Sequence, residues 1–147
     1  MINVIVAGAA GRMGCRLVAL IKDSTTLTLA GAIEGKGHPA VGDDALTLPM
    51  MAVGGKGVIS VTSNIVPFEM AQLVKAFLIG HIEEARRIHF ALSPLFTALF
   101  YETNPIPVKT ALGMMGKIDP ELRLPLCAMA TETKDQLAQV LKDAGLV

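Results

Sequence analysis

The chain has 147 residues, 52% of them hydrophobic, and 13 basic residues balance 13 acidic ones. Zero formal charge with no basic stripe excludes the electrostatic footprint of a nucleic-acid binder. No apolar run approaches the roughly 18 residues of a membrane span, and no export signal opens the chain, so a cytoplasmic protein of one domain spanning 1–147 is expected.

In chain order, Val4-Ile5-Val6-Ala7 suits a strand buried on both faces of a parallel sheet. Gly8, Gly11 and Gly14 follow at fixed spacing, then Met13, Leu17, Leu20 and Ile21 recur at helical spacing before a second apolar run, Leu27 to Ile33. Strand, glycine turn, helix and strand form the first half of a dinucleotide-binding unit. A pyrophosphate needs backbone N–H groups at a helix start, where donors lack partners and the macrodipole is positive. Gly8 can make the tight turn, Gly11 admits the ligand and Gly14 lets the helix pack near the strand. Glu34, placed 20 residues after Gly14, is where an acid accepts hydrogen bonds from ribose hydroxyls. The alternative is a glycine-rich strand-to-helix turn with no ligand.

Gly35 to Asp44 is a glycine-rich connection, and His38 within it reads as a solvated loop histidine rather than a ligand or base. Next come a capping acid (Asp43 or Asp44), a short helix to about Val53 with Pro49 near its first turn, a Gly54-Gly55 stop and a third strand, Val58 to Val61. Met50-Met51 reads as core filling. Met70, Leu73, Val74, Phe77 and Leu78 mark one helix. Ala85, Ile88, His89, Leu92, Phe96, Leu99 and Phe100 mark another after Gly80, which Pro94 should kink. FALSPLFTALF, in its later half, is apolar nearly all round and must be covered on several sides. His81 reads as exposed, His89 as a satisfied interior histidine, and Glu83-Glu84 with Arg86-Arg87 as a solvated face. Asn104-Pro105-Ile106-Pro107 breaks that helix, and the next one stops at Gly116. Asp119 to Leu122 is a turn. Thr131-Glu132 caps a final helix with Leu137, Val140, Leu141 and Ala144 inside and Gly145 at its end. Cys15 and Cys127 match no metal spacing and read as reduced thiols. The expected fold is α/β: a Rossmann-like three-stranded parallel sheet, order 2-1-3, with flanking helices and a carboxy-terminal helical tail.

Two resemblances add to this. Val6-Ala7-Gly8-Ala9-Ala10-Gly11-Arg12-Met13-Gly14, with Ala32-Ile33-Glu34 and His38-Pro39-Ala40-Val41-Gly42, resembles the amino-terminal segment of dihydrodipicolinate reductase, an NAD(P)H-dependent family of lysine biosynthesis. The resemblance implies Arg12 and Met13 on the pyrophosphate side and Glu34 at the adenosine ribose; Cys15 stands where many members have a second basic residue. From Gly42 onward, Gly42-Asp43-Asp44-Ala45, Gly54 to Val61, Asn104 to Lys109 and Leu122 to Leu126 resemble the carboxy-terminal third of dihydrodipicolinate synthase, an aldolase-type (β/α)8 barrel with a helical tail. That resemblance implies a backbone carbonyl from Ile59 to the substrate pocket, with Gly42 nearby.

Together these describe a chimera, reductase-like over 1–44 and synthase-like over 45–147, made by design or recombination. The reductase-like part ends before that family's substrate segment. The synthase-like part begins after the Schiff-base lysine and the proton-relaying tyrosine and threonine, and Lys109 and Lys117 do not stand at the catalytic position. The expectation is therefore a scaffold without either parental activity, with no metal and no required cofactor. The alternative is a binding module with residual weak NAD(P) affinity at Gly8, Gly11, Arg12, Met13, Gly14 and Glu34. Unpaired strand edges and multiply apolar tail helices point to a homo-oligomer.

Overall fold

The computed structural model describes residues 2–7, 16, 19–33 and 44–147. Strands β1 (Ile2–Ala7) and β2 (Leu27–Ile33) pair in parallel, from Ile2 opposite Leu27 to Ala7 opposite Ile33. The register shifts between Val4 and Ile5, which face Leu29 and Gly31, so Ala30 is the extra residue of a bulge. Residues 19–22 between the strands are helical, as a parallel crossover requires.

From Asp44 the chain is helical. A 3-10 turn (Asp44–Leu46) runs into α1 (Thr47–Ala52), and a second 3-10 turn (Thr62–Asn64) precedes α2 (Pro67–Leu78). Then follow α3 (Ile82–Ala98), α4 (Ile106–Met114) and α5 (Thr131–Asp143). The stops are glycines with positive φ: Gly54 at 108° after α1, Gly80 at 83° after α2, Gly116 at 67° after α4 and Gly145 at 68° after α5. Only glycine adopts this conformation without strain, so each helix ends where its sequence says.

α2 buries Met70, Leu73 and Ala76 against α3, which presents Ala85 and Ile88 on the same side. Further along, α3 buries Leu95, Phe96 and Ala98, followed by Leu99. Leu95, Ala98 and Leu99 join Ile106, Val108 and Ala111 of α4 and Leu137 and Leu141 of α5 in the larger core. α5 starts without a side-chain cap of its own. Instead the Glu102 carboxylate accepts the Ala130 N–H at 2.9 Å and the Thr133 hydroxyl. This replaces the expected Thr131-Glu132 cap, and a carboxylate at a helix amino terminus is favourable on both hydrogen-bonding and dipole grounds. α3 continues through Pro94, whose ring lies on an exposed position together with Phe90 and Thr97.

The three-stranded sheet of order 2-1-3 is corrected. Among the described residues the sheet has two strands, and Val58 to Val61 forms none. The polar groups that end this run bond elsewhere than in a ladder. The Thr62 N–H goes to the Asp44 carboxylate at 2.6 Å, the Ser63 N–H goes to Ser60 Oγ at 2.9 Å, and the Ser63 hydroxyl goes to the Ser60 carbonyl at 2.9 Å. Hydroxyls that bond two or three residues away offer the backbone an alternative to a ladder.

Candidate functional site

The candidate dinucleotide residues Gly8, Gly11, Arg12, Met13, Gly14 and Glu34 lie outside the described residues, as do Cys15 and His38. The described part of that unit is the parallel β1–β2 pair on either side of the glycines.

The described site lies around Gly54 to Ser63. Gly55 turns the chain hard against α1: its N–H donates to the Met50 carbonyl at 3.0 Å, and a Cβ there would stand 2.9 Å from that oxygen. The tight return holds the Gly57–Val61 run beside α2. Between them opens a groove of ≈ 520 Å³, with Val58 and Ser60 on one side and Pro67, Ala71, Lys75 and Leu78 on the other. Pro67, Ala71, Lys75 and Leu78 share a helical face, so the groove follows the axis of α2 and is mostly apolar. Ile59 is 59% exposed.

Adjacent in sequence to the groove residue Ser63 is Thr62, part of a buried polar node. Asp44 is fully buried, and its carboxylate accepts the Thr62 N–H across 18 residues of chain. Of the two acids expected to cap this helix, Asp43 lies outside the described residues, and Asp44 instead ties the start of the helical part to the end of the Gly57–Val61 run. Thr47 and Thr62 are buried with it. Sequence reasoning missed both threonines. The available signal was the three-residue spacing of Asp44 and Thr47 in one short helical run, which puts them on one face.

The remaining titratable groups do not assemble a reaction centre among the described residues. Every described lysine is exposed except Lys109, which is half-buried and donates to the Glu121 carbonyl. His81 is exposed. The half-buried His89 ring packs 5.4 Å from the Phe96 ring and 5.6 Å from that of Phe90, measured between centroids, an interior position rather than a catalytic one. Arg87 grips Glu84 through two bonds of 2.8 and 2.7 Å. That hydrogen bond holds the Glu84 carboxyl below its ordinary range and raises Arg87. No group of three or more His, Cys, Asp or Glu among the described residues could hold a metal ion. No helix of the described residues is long and apolar enough to cross a membrane.

A family model described as the dihydrodipicolinate synthetase family matches residues 29–144. The chain belongs to that family. Its relatives include a 4-hydroxy-tetrahydrodipicolinate synthase of Methanocaldococcus jannaschii, 60% identical over 106 residues that make up 72% of this chain and 37% of the relative. The corresponding enzyme of Thermodesulfovibrio yellowstonii is 58% identical over 106 residues, again 72% of this chain and 36% of the relative. A crystal structure of a dihydrodipicolinate synthase is similar in fold, with a TM-score of 0.74 and 46% identity, over 100% of this chain and 46% of that one. The chain thus spans about a third of the length of the curated relatives it matches.

These matches overturn the chimera. The synthetase match begins at residue 29, inside the segment assigned to the reductase, and the likeness in fold to the synthase extends over the whole chain, β1 and β2 included. Only the synthase resemblance stands. The fold class is corrected with it: the β1–β2 unit falls within the likeness to a (β/α)8 enzyme and is not the start of a Rossmann sheet. The reading as a non-catalytic scaffold is corrected too, because the family and the named relatives are enzymes, and none of these matches supports the dinucleotide alternative.

Proposed function

We propose that the chain contributes to a 4-hydroxy-tetrahydrodipicolinate synthase, supplying a carboxy-terminal portion of its barrel and the helical tail. The observation that carries this reading is the 58–60% identity over 106 residues to two enzymes of that name. In this reading the chain supplies binding surface through the backbone carbonyl of the exposed Ile59. Neither Lys109, half-buried and held by the Glu121 carbonyl, nor the exposed Lys117 is enclosed as a Schiff-base lysine needs to be. The synthase resemblance implies that the nucleophilic lysine belongs to the part of the family's barrel that this chain does not span. The chain acts as a homo-oligomer, a reading supported by the exposure of large apolar side chains such as Phe68 and Phe90 on two helices.

The test is pyruvate-dependent condensation by the purified chain, alone and mixed with a polypeptide carrying the rest of a relative's barrel. Activity in either arm supports the proposal. Absence of activity in both, with the mixture shown to associate, overturns it.

A further inference from the structure

Three buried side-chain oxygens belong to the two 3-10 turns and the first turn of α1. Asp44 and Thr62 are fully buried, and Thr47 is 1% exposed. Asp44 Oδ2 is occupied by the Thr62 N–H. Asp44 Oδ1, Thr47 Oγ1 and Thr62 Oγ1 have no hydrogen-bond partner among the described residues. The backbone relates Thr47 and Thr62 each to Asp44. Asp44 and Thr47 are three residues apart in one continuous helical run and share a face, and Thr62 is bonded directly to Asp44 through its amide. Both threonines are thus tied to Asp44, and neither hydroxyl bonds its carboxylate.

A carboxylate oxygen and two hydroxyls left dry are strongly unfavourable. Buried polar atoms without a protein partner are where ordered water is found, bound by two to four groups. The donor and acceptor inventory fits one such molecule. Asp44 Oδ1 only accepts, whereas each threonine hydroxyl both donates and accepts. A single water can donate to Asp44 Oδ1 and to one hydroxyl while accepting from the other.

We propose that Asp44, Thr47 and Thr62 hold one internal water molecule, which completes the hydrogen bonding of this node and locks the end of the Gly57–Val61 run to the start of α1. The water is a fixed part of this node. Its presence is independent of the synthase reading.

A high-resolution structure of the whole chain tests this directly. The expected result is one density peak about 2.7–3.2 Å from at least two of the three oxygens. In solution, a water-to-amide exchange-resolved Overhauser signal is expected at Thr62 N–H. Thr62→Val should abolish it and Thr62→Ser should keep it, with the helical circular dichroism of both variants unchanged. If Thr62→Val does not fold, Thr47→Val answers the same question, with a signal weakened severalfold expected. The proposal is overturned if a threonine hydroxyl bonds Asp44 directly with no density between them. It is also overturned if the peak gains anomalous scattering after a rubidium soak, which would make the occupant a monovalent cation.

Discussion

The two ends of α3 sit in different surroundings. Its carboxy-terminal end, with α4 and α5, belongs to a core in which Leu95, Leu99, Ala111, Leu137 and Leu141 are all closed off from solvent. At its amino-terminal end the buried cluster shrinks to Met51, Leu73 and Ile88, and large apolar side chains face outward: Phe68 and Ile79 beside α2, Phe90 on α3. The tail helices bury their apolar stripes in a shared core; the α1–α2 layer buries one face and leaves large apolar side chains on the other. A layer with a bare face is built to be covered, as helices around a barrel are.

That contrast can be broken most sharply in the tail core. Leu141→Ala should lower unfolding stability by about 3–5 kcal/mol in denaturant titration, since a fully enclosed leucine leaves a cavity that cannot collapse. Leu73→Ala removes an equally buried side chain from the smaller cluster, and about 2 kcal/mol is expected because more of the site can relax. Equal losses would mean that the two regions are one core. Glu102→Gln tests how α5 is held: weakening the link to Ala130 and Thr133 should lower stability by about 1 kcal/mol. Phe68→Ser with Phe90→Ser should change monomer stability by no more than about 0.5 kcal/mol. Light scattering should nevertheless show a smaller assembly; an unchanged mass would remove these faces from the interface. The smallest effect concerns pH. The folded Glu84 carboxyl is held low by its Arg87 hydrogen bond, so its contribution is present above the ordinary value of 4.5 and is lost as pH falls through the lowered one. The acid limb of the stability curve should flatten slightly in Glu84→Gln, and high salt should mask the difference.

Much of the helical part could be read from the sequence because its signals are local. Helical spacing marked Met70, Leu73 and Val74, the recurrence of Ala85 and Ile88 marked α3, and the stops at Gly80, Gly116 and Gly145 carry the positive φ that only glycine tolerates easily. The error came from a signal that is local but shared. A strand, a glycine turn, a helix and a parallel strand occur in dinucleotide folds and in (β/α)8 barrels alike, since both repeat the same right-handed unit. Gly8, Gly11 and Gly14 could not separate them, and these residues lie outside the described structure. Val58 to Val61 has the composition of a strand, but a strand also needs a neighbour to pair with, and sequence composition does not supply one. Asp44 is one of two acids, with Asp43, that the sequence offers as a cap for the helix beside it, whereas its bond reaches Thr62, 18 residues away. Glu102 was not singled out at all, because its partners stand 28 and 31 residues downstream.

The reach of Glu102 has a consequence for how the molecule withstands cutting. Between Gly116 and Ala130 the chain has no regular element, and Lys117, Arg123 and the 92% exposed Leu124 stand in solvent. Lys117 and Arg123 offer trypsin accessible sites here. The excised α5 would not drift away, because Leu137 and Leu141 remain in the core and Glu102 still grips Ala130 and Thr133. A nicked chain should therefore migrate as one particle under native conditions and as two bands only in detergent, leaving the tail a non-covalent subunit of its own protein.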